Sequence, residues 1–135
     1  MFRINQPYNV FISHSWDYAE QYQRVKEWLN ESNISVKDYS IPVEKRIDVS
    51  SKLELKARIS ARIQAASLVI VFAGMYVNYS EWIDYEISEA ATHNKKILAV
   101  IPWGHERIPA MVQLYATTTV HWQKGSVIQG VKALL

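Results

Sequence analysis

A chain of 135 residues is enough for one domain that buries a core without staples, and its lack of cysteine removes disulfides, thiolate nucleophiles and thiolate-held zinc together. Lys and Arg number 15 against 13 Asp and Glu, interleaved without a basic block, which speaks against a nucleic-acid-binding surface. No apolar run approaches the roughly 18 residues that cross a bilayer, and the first residues carry no secretory leader pattern, so the expected setting is cytoplasmic, away from any membrane.

The first strand is predicted over Tyr8 to Ser13, bulky and partly β-branched. Asp17 and Glu20 then form a capping-box pattern, and Tyr22, Val25, Trp28 and Leu29 recur at helical spacing until Asn30 to Asn33 end the helix. Ile34 to Tyr39 reads as a short second strand, broken at Ile41-Pro42 because a residue before proline is pushed out of helical space. Val43 to Ser51 has mixed charges and no period, and reads as an exposed loop.

From Lys52, the residues Leu55, Ile59, Ile63 and Ala66 form an i, i+4 ladder on a second helix. Leu68 to Ala73 is a strand without polar alternation, and Gly74 breaks it, leaving Tyr76 in an aromatic loop. Ser80 is the predicted cap of the third helix, with Ile83, Ile87, Ala90 and Ala91 as its buried stripe. At 100° per residue Glu86 falls about 85° from the centre of that stripe, a boundary position that leaves a carboxylate ionised and partly shielded. A buried strand over Ile97 to Ile101, a short helix around Pro109 to Tyr115, a strand over Thr117 to Trp122 and a helix over Ser126 to Leu134 follow.

Strands thus alternate with helices throughout. That pattern predicts a single α/β domain over residues 1–135, a three-layer, doubly wound, flavodoxin-like parallel sheet of five strands in the order 2-1-3-4-5. Such sheets bind ligands beyond the C-terminal ends of their strands, at the switch point between the first and third strands. A phosphoacceptor receiver would need acidic residues there, where this chain has Ser13, Ser15 and Ala73-Gly74. A flavin-phosphate loop would need glycine after the first strand, where the bulky Trp16 stands.

A third class fits the residues. Phe11-Ile12-Ser13-His14-Ser15 resembles the first conserved box of TIR domains, and Ser80-Glu81-Trp82-Ile83-Asp84-Tyr85-Glu86 resembles their Ser-x-Trp-x-x-x-Glu segment. Asp38-Tyr39-Ser40-Ile41-Pro42, Ala73-Gly74-Met75-Tyr76 and Ala99-Val100-Ile101-Pro102-Trp103-Gly104 look like the TIR-like family that includes the sensors of the Thoeris antiphage system. The resemblance implies a TIR-like fold, NAD as substrate rather than cofactor, Glu86 as the catalytic residue and a cyclic or conjugated ADP-ribose product. It also implies a downstream effector reached by that diffusible nucleotide signal, a phage-derived trigger and self-assembly. The chain departs from ordinary TIR domains at Val43 to Ser51, so surfaces carried by that loop do not transfer.

The chemistry suits one carboxylate. Cleaving the nicotinamide–ribose bond passes through an oxocarbenium-like state, and nicotinamide leaves as a neutral base that needs no proton. A carboxylate holding the ribose hydroxyls and facing the developing cation is therefore sufficient. Against this stands the plain reading of Glu86 as a flank residue of an amphipathic helix.

Ser13 and Ser15 are candidates to bind ribose or phosphate, or simply cap the loop before Asp17. His14 joins them as a candidate substrate contact, with a satisfied loop histidine as its alternative. Tyr76, Trp82 and Trp103 are candidates to stack on nicotinamide or adenine, or are ordinary packing. Lys45 and Arg46 are loop cations able to meet a pyrophosphate, and His93, His105 and His121 lack metal-ligand spacing, so no metal is expected. The competing functional class is a non-enzymatic interaction module, because fold alone never settles function.

Overall fold

In the computed structural model the residues described are 8–13, 19–32, 36–38, 52–72, 76–101 and 110–135. They form β1 (Tyr8–Ile12), α1 (Ala19–Glu31), β2 (Val36–Asp38), α2 (Lys52–Ala65), β3 (Leu68–Phe72), α3 (Tyr76–Thr92), β4 (Lys96–Ile101), α4 (Ala110–Tyr115), β5 (Thr118–His121) and α5 (Lys124–Leu134). The strands build one parallel sheet in the order β2-β1-β3-β4-β5. Its register runs Val10 to Leu68, Leu68 to Lys96 and Leu98 to Thr118.

The apolar runs explain the layers. Every residue of Leu68–Phe72 is completely buried, as are Leu98, Ala99 and Val100, which requires cover on both faces of the sheet. Helices α2, α3 and α4 pack together over one face, and α1 and α5 over the other. The α1 stripe Tyr22, Val25 and Leu29 and the α2 stripe Leu55, Ile59 and Ile63 are buried, so both helical periods translate directly into packing. On the α1/α5 face, Trp28 and Trp122 meet at 4.6 Å between ring centroids, and Trp122 also lies edge-on to Phe72.

Turns at the N-terminal edge are closed by the backbone. Asn94, at φ 56°, ends α3 in the left-handed region, with Lys95 N–H donating to Ala90 O at 2.8 Å and Asn94 N–H to Ala91 O at 3.1 Å. Thr117 Oγ accepts the Ile97 N–H at 3.0 Å, tying the entry of β5 to β4.

Two expectations along α3 are corrected. The helix begins at Tyr76, so Ser80 lies inside it rather than capping it, and Tyr76 is its first residue rather than part of a loop. No glycine or proline stands between Tyr76 and Thr92 to stop the helix from extending over those four earlier residues. Similarly, α5 starts at Lys124, two residues before Ser126, and its entry residue Gln123 makes no side-chain cap. Gly125 costs helix propensity without preventing the turn.

Candidate functional site

The switch point of this sheet lies between β1, whose chain turns outward to β2, and β3, from which the order runs on through β4 to β5. Ser13 sits at that point. Its amide donates to the Ile70 carbonyl at 2.8 Å, extending the β1–β3 ladder past Ile12. Its side chain is completely buried, and no hydrogen bond reaches Ser13 Oγ among the described residues. A buried hydroxyl in that condition forfeits its hydration, a cost of order 1–3 kcal/mol.

Glu86 is carried by α3. The expectation of a boundary position is corrected: Glu86 is 0 % exposed. From Ile83 onward the buried residues of this helix are Ile83, Glu86, Ile87 and Ala90, while Ala91 is half-buried. These four positions follow i, i+3, i+4 and i+7, and their centre is rotated about 35° toward Glu86 from the predicted one. The physical reason is that α3 is the middle helix of its layer, flanked by α2 and α4 as well as lying on β3 and β4. A helix with neighbours on three sides buries a wider arc than one lying on a sheet alone. The Oε2 atom is shielded from solvent with no hydrogen bond to it among the described residues, and Glu86 makes a further interaction.

Ser13 and Glu86 are the buried polar or charged side chains among the described residues. Ser13 follows β1 directly, and Glu86 is carried by α3, which packs on β3 and β4. By helical geometry Glu86 points roughly 70° from the sheet-facing Ile83, Ile87 and Ala90, and roughly 80° from the α2-facing Tyr85 and Glu89. It therefore points toward the junction of the sheet with α2, which packs on β1. Asp84, whose Oδ1 is also buried and without a hydrogen bond among the described residues, faces the other way, about 160° around the helix from Glu86.

The remaining predicted site residues divide in two. Tyr76 opens α3 and Trp82 lies six residues further along the same helix, both placed by backbone. His14, Ser15 and Trp103 lie outside the described residues, as do the loop from Val43 to Ser51 with Lys45 and Arg46, and His105. His93 lies at the far end of α3, its Nε2 3.9 Å from Glu89 Oε1, and His121 ends β5. Among the described residues no group of three or more His, Cys, Asp or Glu is placed to hold a metal. Among the same residues no helix is long and apolar enough to cross a membrane.

Sequence reasoning missed a polar seam between α2 and α3. Tyr85 O–H donates to the Lys56 carbonyl at 2.9 Å, and Lys56 Nζ stands 5.2 Å from the Tyr85 ring centroid. One turn further along each helix, Ser60 O–H donates to Glu89 Oε1, and Gln64 Nε2 donates to Ser60 Oγ at 3.1 Å. Burial beside the Glu89 carboxylate raises the Tyr85 phenol above its ordinary value, with desolvation the larger cause and the Glu89 charge the second. The signal was present as matched four-residue spacings, Lys56-Ser60-Gln64 against Tyr85-Glu89-His93, which read separately as ordinary solvated helix faces.

The family model described as the Thoeris protein ThsB, TIR-like domain, matches residues 11–107. That span runs from Phe11, near the end of β1, through β4, with both Ser13 and Glu86 inside it. Among solved structures, a Clostridium botulinum CMP N-glycosidase, BcmB, is similar at a TM-score of 0.59 and 16 % identity, covering 92 % of this chain and 98 % of that one. A 3-dehydroquinate dehydratase-like protein from Bifidobacterium longum is similar at a TM-score of 0.50 and 13 % identity, covering 96 % and 94 %. At such identities these two likenesses concern the fold. No curated protein matches the chain in sequence.

Proposed function

Because the chain belongs to the TIR-like domain family of the Thoeris protein ThsB, we propose that it cleaves NAD and releases a cyclic or conjugated ADP-ribose signal in bacterial antiphage defence. The observation that carries this reading is Glu86, a carboxyl side chain completely buried on α3, the helix that follows β3. Burying an ionisable group is expensive, and a glutamine or methionine would fill the same volume without that cost. A carboxylate kept there is suited to charge that develops only during a reaction.

In the proposed step the bond between the ribose anomeric carbon and the nicotinamide nitrogen breaks, and its electron pair leaves with nicotinamide. Glu86 faces the oxocarbenium-like sugar and holds its hydroxyls, and the Ser13 hydroxyl takes a sugar or phosphate oxygen as its missing partner. His14, Ser15, Tyr76, Trp82 and Trp103 are proposed to complete the substrate pocket. The sugar is then captured by water or by a nucleophile of the nucleotide itself, which loses a proton as the new bond forms. The name of the similar CMP N-glycosidase is that of an enzyme acting on an N-glycosidic bond of a nucleotide, the same class of bond.

Full burial has a consequence for the mechanism. A carboxyl group with no exposure needs its surroundings to open before it meets substrate. Opening by a phage-derived trigger or by self-assembly then becomes the activating event, and the product carries the signal to an effector.

The same burial favours one competing reading, a non-enzymatic interaction module in which Glu86 only serves packing. Comparing wild type with Glu86→Gln for NAD consumption and nucleotide products, both purified and in infected cells, separates the two. Loss of product by a factor on the order of 10² to 10³ with the fold retained is expected of the enzyme. Equal product yield from a folded Glu86→Gln protein ends the enzymatic assignment.

A further inference from the structure

We infer that the polar seam between α2 and α3 is a positioning device for Glu86, with Tyr85, Ser60 and Glu89 as positioning residues. The inference rests on the catalytic reading of Glu86 and adds how its carboxylate is held in place. The seam has two rungs at matched four-residue spacing. Tyr85 O–H donates to Lys56 O at 2.9 Å in the first, and Ser60 O–H donates to Glu89 Oε1 in the second.

Apolar contacts alone would leave the helix loosely specified. Ile83, Ile87 and Ala90 fix which side of α3 meets the sheet, but smooth side chains tolerate small slides along the axis and small rotations about it. Directional hydrogen bonds do not. A slide of one residue moves each α3 atom about 1.5 Å and turns its face by about 100°, which breaks both rungs at once. The first rung is also unusual in its acceptor. Lys56 O lies inside helix α2, where Ser60 N–H is its intrahelical donor by the i to i−4 pattern, so Tyr85 occupies its second lone pair.

Glu86 is flanked by these anchors. Tyr85 precedes it by one residue and Glu89 follows it by three, so a rung stands within one turn on either side. The Ser60 hydroxyl is itself oriented, accepting from Gln64 Nε2 at 3.1 Å while donating to Glu89. None of these residues has a part in the proposed chemistry, and their effect reaches it only through the placement of the carboxylate.

The test compares wild type with Tyr85→Phe, Ser60→Ala, the double variant and Ser60→Thr, which keeps a hydroxyl. Two quantities are read: kcat and KM for NAD, and the carboxyl carbon NMR resonance of Glu86, assigned by its absence in Glu86→Gln. The double variant should lower kcat about tenfold with KM within about twofold, because misplacement of a reacting group is felt in the chemical step. It should also move the Glu86 resonance, and Ser60→Thr should keep both near wild type. If the double variant fails to fold, Tyr85→Phe, which removes a single oxygen, decides the matter alone. An unchanged kcat in folded protein that turns over NAD overturns the inference. Should wild type itself consume no NAD in any activated form, the enzymatic reading fails. The seam is then judged by the resonance: movement supports positioning, and an unmoved signal overturns it.

Discussion

The amide of Ser13 donates to the carbonyl of Ile70 at 2.8 Å, so the last paired position of β1 against β3 is a serine whose hydroxyl is buried at the switch point. The amide of this residue is satisfied, and its buried hydroxyl is the expensive part. Ser13→Ala should therefore leave the folded state no less stable, or stabilise it by about 1 kcal/mol, since it removes a buried oxygen that no described group bonds. Denaturant melts measure this directly. Product formation should fall in the same variant, with KM rising because a substrate contact is lost in ground and transition states alike. A destabilisation above about 1.5 kcal/mol would mean that the hydroxyl is structural.

Gly130 on α5 supplies a contest between helix propensity and packing. A Cβ there would stand 2.9 Å from Leu98 Cδ1 and 3.2 Å from Val120 Cγ1. Alanine gains about 1 kcal/mol of helix propensity over glycine, whereas overpacking costs about 1–3 kcal/mol. Leu98 is completely buried on β4 and has little room to yield, so packing should win. Gly130→Ala is expected to destabilise by about 1 kcal/mol, and Gly130→Val by clearly more. A stabilised alanine variant would show that Leu98 repacks freely.

The parallel α/β class was legible because Leu68–Phe72 and Ile97–Ile101 are apolar on both faces, and because the ladders Tyr22-Val25-Leu29 and Leu55-Ile59-Ile63 have unmistakable helical periods. Glu86 was legible as the notable residue of α3 but not as a fully buried one. Its burial depends on α2 and α4 flanking α3, which no period within the α3 segment encodes. Ser80 misled because a serine followed by glutamate carries a cap signature that is purely local, whereas helix extent is decided by the absence of breakers and by tertiary cover. The rungs between α2 and α3 escaped because their partners are 29 residues apart, and polar residues at four-residue spacing look the same whether they face water or another helix.

Tyr85 gives the seam an alkaline limit. Its phenol is raised above the ordinary 10.0 by burial first and by the Glu89 carboxylate second. A group whose folded value lies above its unfolded one contributes stability in full below the unfolded value, and loses it as pH rises through the folded value. The seam should hold unchanged across neutral pH and weaken only above about pH 10, as the phenolate forms beside Glu89. Melting temperature measured from pH 8 to 11 should fall more steeply in wild type than in Tyr85→Phe, which has no proton to lose. Parallel curves for the two proteins would show that Tyr85 ionisation is not linked to folding.

Stability measurements on Glu86 variants separate a reactive carboxylate from a structural one without any activity assay. An ionisable group buried for chemistry costs the resting fold desolvation, and replacing a functional residue by an uncharged one of similar volume commonly leaves stability equal or higher. Glu86→Gln keeps the volume of the side chain and removes its ionisable group. It should unfold at the same or higher denaturant, with a gain of up to about 1 kcal/mol, or about 3 °C in Tm for a domain of this size. Glu86→Ala, by contrast, opens a hole in a completely buried position and should lose about 1–2 kcal/mol. If Glu86→Gln instead costs more than about 2 kcal/mol, the carboxylate is holding the fold together through a charge-assisted bond, and the interaction-module reading gains the ground that the enzymatic one loses.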